Sequence, residues 1–225
     1  MIKQLIIGLA CEGTTDQRFL TSIVKRTFEE VILQHSTNVE ILDIQYITSQ
    51  EKAFVEYVYE ASIKGTADFG ILILCLHADA DASTDTDTFK NKINPAIENL
   101  KNKKRIDLCK IVTPIVPIKM IEAWMIADEQ CFLDEIGSTS TLANLGISKN
   151  PELISDPKTI INAAIKKVFE NKPKRRSRPK ITELYLPIGQ KCDLSKLENL
   201  SSYIKFKTAV KKSLEEIKYI VEKKH

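Results

Sequence analysis

The sequence predicts an α/β protein with an open, mainly parallel four-stranded sheet flanked by helices, followed by a helical C-terminal extension. Two observations predict this class. Short apolar runs alternate with longer amphipathic runs over residues 1–136, the pattern of strands joined by crossover helices. The strand-like runs are apolar nearly throughout, which is typical of strands buried on both faces. We therefore predict a catalytic body over residues 1–136 and a helical extension over residues 137–225, packed on the body.

Four runs are predicted strands: 4–11, 39–47, 69–76 and 110–118. Run 69–76 is the most strand-like and is expected at the centre of the sheet. Run 110–118 contains Pro114 and Pro117. Because proline cannot donate a hydrogen bond to a ladder, this strand is expected at an edge.

Apolar residues at helical spacing predict the helices. The first helix follows Thr14-Thr15-Asp16, whose side chains offer capping oxygens, and buries Leu20, Ile23 and Phe28. The second covers 52–64 and is expected to end at Gly65. The others are predicted over 87–103, 120–127, 157–170 and 202–223. Trp124, within the short fourth helix, is expected to pack in the core.

Composition favours a cytoplasmic protein that does not contact membranes. The 225 residues are 43% hydrophobic with a formal net charge of +3, so the chain can bury a sizeable core. Its five cysteines form no Cys-x-x-Cys pair, and an odd number of scattered cysteines suits a reducing compartment. No apolar run reaches the length of a transmembrane span.

Acidic residues follow two of the predicted strands. Glu12 comes directly after the first strand and precedes Gly13, which permits a sharp turn. Asp79 and Asp81 follow the third strand, and if the backbone stays extended they lie on the same side as His77. Ligands of open parallel sheets bind at the carboxyl ends of the strands.

Carboxylate oxygens at that edge are the ligands that Mg²⁺ or Mn²⁺ prefers. A hard cation held there could bind a phosphate and activate water for in-line attack. The simpler interpretation is that such residues only cap the next helix, which is what we expect of Asp85 and Asp87. An Asp-x-Asp after a long apolar strand, together with a Glu-Gly after another, favours a functional site.

The same residues resemble a known family. Glu12-Gly-Thr-Thr-Asp16 is similar to the first motif of TOPRIM domains, and His77-Ala-Asp-Ala-Asp81 resembles their Asp-x-Asp motif. The segment 117–128, with its Glu-Ala-Trp, resembles a prokaryotic TOPRIM-like family that is often found in phage-defence neighbourhoods and is related to the nuclease half of OLD-type proteins. The resemblance covers roughly residues 1–130.

The resemblance implies a metal-dependent nuclease with defined roles. Glu12 would contact the metal and act as general acid or base, and Asp79 and Asp81 would hold Mg²⁺ or Mn²⁺. Glu122 would complete a second metal position. The chain departs from OLD-type proteins because it contains no P-loop, so an ATPase would have to be a separate partner protein.

A basic segment suggests contact with DNA or RNA. Six of the nine residues from 172 to 180 are basic: Lys172, Lys174, Arg175, Arg176, Arg178 and Lys180. A run of charge is usually a solvated surface. Beside an acidic site that repels phosphates, however, it could hold the nucleic-acid backbone.

Two other functions remain open. Asp79-Ala-Asp81 also resembles the nucleophile motif of haloacid-dehalogenase-type phosphatases, in which Asp79 would be phosphorylated. That fold normally opens with this motif, whereas here it follows the third strand. The second alternative is a non-catalytic module that binds nucleic acid or a partner and has a degenerate TOPRIM site.

Overall fold

The computed structural model describes residues 2–35, 38–148, 150–170 and 177–221, and it confirms the predicted fold class. The strands are β1 Lys3–Leu5, β2 Ile7–Ala10, β3 Val39–Ile41, β4 Gln45–Tyr46, β5 Ile73–His77 and β6 Val112–Ile115. The main sheet has four parallel strands in the order β4-β2-β5-β6. A second sheet pairs β1 with β3, also in parallel.

Two of the predicted strands are interrupted. The runs 4–11 and 39–47 each divide into two short strands, because the first run changes partner along its length. Leu5 pairs with Ile41, whereas two residues later Ile7 pairs with Ile73 of β5. The positions of β5 inside the main sheet and of β6 at its edge are as predicted.

Helices account for most of the remaining structure. They are α1 Thr14–Gln34, α2 Phe54–Phe69, α3 Thr86–Thr88, α4 Asn94–Asn102, α5 Glu122–Met125, α6 Glu129–Glu135, α7 Pro157–Phe169, α8 Tyr185–Lys191, α9 Leu194–Leu197 and α10 Ser201–Glu216. A π-helical turn, Phe89–Ile93, joins α3 to α4. The sequence pattern did not predict α6, α8 or α9.

The end predicted for the second helix was wrong. Helix α2 continues past Gly65 and ends at Gly70, which has a φ of +67°. A Cβ atom at Gly65 would lie 2.5 Å from the side chains of Ile47 and Ile71. Gly65 is therefore required by close packing against neighbouring elements, whereas Gly70 supplies the left-handed conformation that ends the helix.

Each face of the main sheet has its own hydrophobic core. Helices α2 and α4 cover one face with residues such as Val58 and Leu100. The other face is covered by α1 and the C-terminal helices, with Phe19, Ile188 and Phe206 in one continuous cluster. The predicted boundary at residue 136 falls within this shared core.

Trp124 lies at the centre of that core, as predicted, and is fully buried. Its ring packs edge to face against Tyr203, with centroids 5.3 Å apart. Its Nε1–H donates to the Ser202 hydroxyl at 2.8 Å. The indole thus joins the body to α10 and satisfies its only polar group.

The described cysteines form no disulfide, and four of the five are buried, so these thiols pack as small apolar side chains. Among the described residues, no helix combines the length and the apolar composition needed to cross a bilayer.

Candidate active site

The strand register brings the candidate residues to one edge of the sheet. Ala10 at the end of β2 pairs with Leu76 of β5, and His77 pairs with Ile115 of β6. The segments that follow these three adjacent parallel strands therefore leave the sheet at the same edge. They carry Glu12, Asp79 and, at the start of α5, Glu122.

Backbone hydrogen bonds continue the pairing beyond β5. The N–H of Ala78 donates to Ile115 O at 3.1 Å, and that of Ala80 donates to Pro117 O at 3.0 Å. The N–H of Asp81 then donates to Lys119 O at 2.9 Å. These bonds fix the backbone on both sides of Asp79.

Asp79 is held through one of its two carboxylate oxygens. Oδ1 accepts from the backbone N–H of Ile121 at 3.0 Å. Nε2 of His77 lies 3.2 Å from the same oxygen. Among the described residues, Oδ2 has no hydrogen-bond donor. The carboxylate is therefore oriented by Oδ1 and retains a free oxygen.

Asp16 is a further acidic residue of the site, to which the sequence analysis assigned no catalytic or metal-binding role. It lies in the first turn of α1, where Oδ2 accepts from the N–H of Gly13 at 3.2 Å. The same oxygen is 3.9 Å from Nδ1 of His77. The signal for Asp16 was its place in the motif that begins at Glu12.

Burial raises the pKa of Asp16 above its ordinary value; the nearby His77 opposes this rise and the charge of Asp79 adds to it. Asp16 thus shares a partly desolvated environment with Asp79.

His77 lies between these two carboxylates and is almost completely buried. Burial by itself lowers its pKa. The hydrogen bond and charge of Asp79, with the charges of Asp16 and Glu12, outweigh burial and raise the pKa of His77 above its ordinary value. Its Nδ1 is buried and has no hydrogen-bond partner within the described part of the chain.

Glu122 is buried and receives partners from the C-terminal extension. The Tyr185 hydroxyl donates to its Oε1, and Nζ of Lys158 lies 3.9 Å from the same atom. Burial raises the pKa of Glu122; the Tyr185 hydrogen bond opposes this rise, and the charge of Asp79 adds to it. No sequence pattern singled out Tyr185 or Lys158, because their roles depend on tertiary packing.

Glu12 and Asp81 have exposed side chains. Neither carboxylate makes a hydrogen bond or an ion pair with any described residue. Asp81 has a φ of +52°, so the extended backbone ends there. The alternation of side chains along the extended backbone therefore places His77 and Asp79 on the same side, but it ends before Asp81.

Asp85 was expected to act as a helix cap, and the structure gives it another role. It occupies the N-cap position of α3 but makes no capping hydrogen bond. Instead, the buried carboxylate of Asp85 forms an ion pair with Lys205 at 2.6 Å. That pair ties the segment after Asp81 to α10.

The chemistry of the candidate ligands fits a hard divalent cation, although no complete ligand set is assembled. Among the described residues, no group of three or more His, Cys, Asp or Glu side chains is arranged to hold a metal ion. Mg²⁺ usually binds one or two carboxylates and completes its octahedron with waters and substrate phosphates. The carboxylate oxygens of Glu12, Asp79 and Asp81 that make no hydrogen bond within the described chain are of the chemical type that such a cation binds.

Most of the predicted nucleic-acid contacts lie outside the described residues, namely Lys172, Lys174, Arg175 and Arg176. Arg178 and Lys180 are described and are exposed. The chain then makes a single 3₁₀ turn, Ile181–Glu183, and enters α8 at Tyr185. Lys180, at the end of the basic segment, is therefore five residues before Tyr185, whose hydroxyl contacts Glu122.

Comparison with known protein families gives a match that covers most of the chain. A family model described as a domain of unknown function (DUF4276) matches residues 11–217. The chain belongs to the DUF4276 family. The DUF4276 match includes Glu12, Asp16, Asp79 and Glu122 and also spans the C-terminal helices. No curated protein and no solved structure gave a significant match.

Proposed function

We propose that this DUF4276 protein is a TOPRIM-type nuclease that hydrolyses phosphodiester bonds in DNA or RNA with Mg²⁺ or Mn²⁺. The observation that carries the proposal is the fixed position of Asp79 at the carboxyl end of β5. One oxygen of Asp79 is bonded and the other is free of described donors, and its charge raises the pKa of both Asp16 and Glu122. Anionic groups concentrated at this edge of a parallel sheet are suited to bind a cation.

In this proposal Glu12, Asp79 and Asp81 hold the divalent ion, and Glu122 contributes to a second position. When bound, the ion would polarise a phosphate oxygen and offset charge that develops during hydrolysis. The hydrogen bonds from Ile121 and His77 orient Asp79, as partners of metal-binding carboxylates generally do.

The protein groups also supply proton transfer. Glu12 is exposed and unbonded within the described chain, so its carboxylate can accept a proton from the attacking water. Glu122 has a raised pKa and a hydroxyl partner in Tyr185. It can therefore hold a proton for the leaving oxygen, or release that proton when a cation binds.

Cleavage of labelled single-stranded and duplex DNA and RNA, each with Mg²⁺ or Mn²⁺, tests this function. Asp79→Asn keeps an oxygen for the Ile121 N–H but removes the charge. We expect the cleavage rate to fall by at least about 100-fold, the order found when one group that stabilises transition-state charge is removed. Asp68→Asn, an exposed site on α2, is the matched control. Equal rates in wild type and Asp79→Asn would contradict the proposal.

A non-catalytic module that binds nucleic acid or a partner is the second candidate. It is favoured by the lack of an assembled three-ligand group within the described residues. Oligonucleotide binding without cleavage under any metal condition would support the module. Release of phosphate from small phosphate esters, abolished by Asp79→Asn, would instead favour the phosphatase alternative.

We further propose a role in phage defence, with a separate ATPase partner. This step rests on the TOPRIM-like resemblance of roughly residues 1–130. Loss of protection against phage on Asp79→Asn substitution, with Asp68→Asn still protective, is the expected result.

A further inference from the structure

Glu12 borders a second feature that the proposed hydrolysis does not use. Glu12 lines a cavity of about 410 Å³, between the end of β2, the start of α2 and the π-helical turn. This volume falls within the range of roughly 300–1,000 Å³ that is typical of ligand pockets. The other lining residues are Ser49, Glu51, Lys52, Phe54, Tyr57 and Lys92.

Two aromatic rings form one wall of this cavity. Phe54 and Tyr57 are three residues apart in α2 and therefore lie on the same face of the helix. Both are half-buried. The Tyr57 hydroxyl donates to Cys11 O at 3.1 Å, which fixes the ring beside the residue that precedes Glu12. Fixed, partly accessible rings are suitable surfaces for a planar base.

Two cations line the same cavity. Lys52 precedes α2, and Lys92 lies in the π-helical turn. Neither ammonium makes a hydrogen bond or an ion pair with any described residue. Both charges are thus available to an anion, whereas Lys205 is already neutralised by Asp85. Helix α2 also begins here, and its N-cap residue Ala53 has no side-chain acceptor for the first N–H groups.

The remaining polar groups complete the lining. The Ser49 hydroxyl donates to Glu60 at 2.6 Å and accepts from the N–H of Glu51 at 3.0 Å. These bonds hold the turn before α2 in place. Glu51 also lines the cavity, and a carboxylate can accept from a sugar hydroxyl or an exocyclic base amine.

We propose that this cavity binds one unpaired nucleotide of a single-stranded nucleic acid. The base stacks on Phe54 and Tyr57, and the flanking phosphates contact Lys52 and Lys92. A base paired within a duplex presents no free face to such a pocket, so the strand must be unpaired here. The pocket is linked to the proposed function in one respect: a nucleotide bound here would place the next phosphate of the strand beside Glu12, where hydrolysis is proposed.

Fluorescence anisotropy with a labelled 12-nucleotide single strand, in metal-free buffer containing EDTA, measures binding without cleavage. Phe54→Leu retains apolar volume but removes the ring, and we expect affinity to fall about 5- to 150-fold, the effect of losing one base–aromatic stack. Phe69→Leu, near the other end of α2, is the matched control.

Lys52→Ala and Lys92→Ala test the phosphate contacts. Each should flatten the slope of log affinity against log salt concentration by about 0.7, the contribution of one phosphate contact on a single strand. Lys166→Ala, exposed on α7, is the control. The wild type should prefer the single strand over its duplex, and a mononucleotide should compete only weakly.

The binding and cleavage measurements can fail independently, so they test the nucleotide pocket and the proposed nuclease activity separately. Single-strand binding that depends on Phe54, in a protein that never cleaves, would support the pocket and refute the nuclease. Wild-type affinity in both Phe54→Leu and the lysine variants would overturn the pocket, even if cleavage depends on Asp79. Equal affinity for single strand and duplex, tight competition by a mononucleotide, or no binding of the single strand would also overturn it.

Discussion

His77 lies between Asp16 and Asp79, and their charges favour its protonated form. Nε2 is 3.2 Å from Asp79, and Nδ1 is 3.9 Å from Asp16. The protonated imidazole offsets negative charge at the edge of the sheet. Its energetic contribution must therefore depend on pH.

Replacing His77 by Gln should reveal that dependence in metal-free buffer. Because folding raises the pKa of His77 above 6.5, protonation stabilises the folded state fully below the unfolded pKa. This stabilisation is lost as pH rises through the higher folded pKa. We expect the difference in unfolding free energy between wild type and His77→Gln to be larger at pH 5.5 than at pH 8.5.

Urea denaturation at the two pH values measures the difference. His35→Gln, at the end of α1, is the control for the general effect of removing a histidine. A stability difference for His77→Gln that is the same at both pH values, or that grows toward high pH, would refute this interpretation.

Other buried acids show that burial alone does not identify the site. Glu152 accepts hydrogen bonds from the backbone N–H and hydroxyl groups of Ser201 and Ser202. Asp128 accepts from the backbone N–H groups of Cys131 and Asp193. These carboxylates stabilise helix termini. Asp79 differs because it keeps a free oxygen at the carboxyl end of a strand.

Helix α8 packs against α1 in the core, and its first residue, Tyr185, reaches the candidate site. Gly189 allows the close approach, since a Cβ atom there would lie 2.6 Å from Phe19 O. Arg26 of α1 donates to the carbonyl groups of Gly189, Gln190 and Cys192. Together these contacts position the helix whose first residue, Tyr185, bonds to Glu122.

Gly189→Ala should therefore weaken both stability and activity. The added methyl group meets backbone that cannot move aside easily, so we expect a loss of roughly 1–3 kcal/mol in unfolding free energy. Displacement of α8 should also lower the proposed nuclease activity, because it would move Tyr185 away from Glu122. Gln190→Ala, at the next and exposed position, is the control. Unchanged thermal denaturation of Gly189→Ala would contradict this account of the interface.

Sequence patterns predicted the elements whose signal is local. The apolar run of β5, the prolines of edge strand β6 and the helical spacing of α1 each reflect burial of a regular element. The patterns failed where another element decides the structure. Gly65 was taken as a helix end, although it packs against Ile47 and Ile71. Helices α8 and α9 are too short for periodicity to stand out.

The residues of the candidate site also fall into two groups: those that local sequence signals could predict and those that depend on tertiary packing. The positions of Glu12 and Asp79 at one edge of the sheet were predictable because each follows a parallel strand of the main sheet. Tyr185 and Lys158 could not be predicted, since only the packing of α7 and α8 brings them to Glu122. Asp81 was predicted on the same side as Asp79 if the backbone stayed extended, but its left-handed backbone conformation interrupts that alternation.

At the scale of the whole molecule, the extension covers one face of the body. Phe19, Ile23 and Phe28 of α1 share a core with residues of α8 and α10. A fragment of residues 1–136 would expose this apolar surface to water. We therefore expect it to lack cooperative thermal unfolding, as measured by circular dichroism, whereas the full chain unfolds in one transition. A stable, cooperative fragment would show that the body folds independently.

Diffraction from a crystal soaked in MnCl₂ tests the central claim most directly, because manganese can be located by its anomalous signal. We predict a peak about 2.0–2.5 Å from the free oxygen of Asp79, with Glu12 or Asp81 as a second protein ligand. The peak should disappear in Asp79→Asn. No manganese at this edge in a crystal that remains ordered, or a peak that persists in Asp79→Asn, would contradict the claim that these carboxylates form a metal-dependent catalytic site.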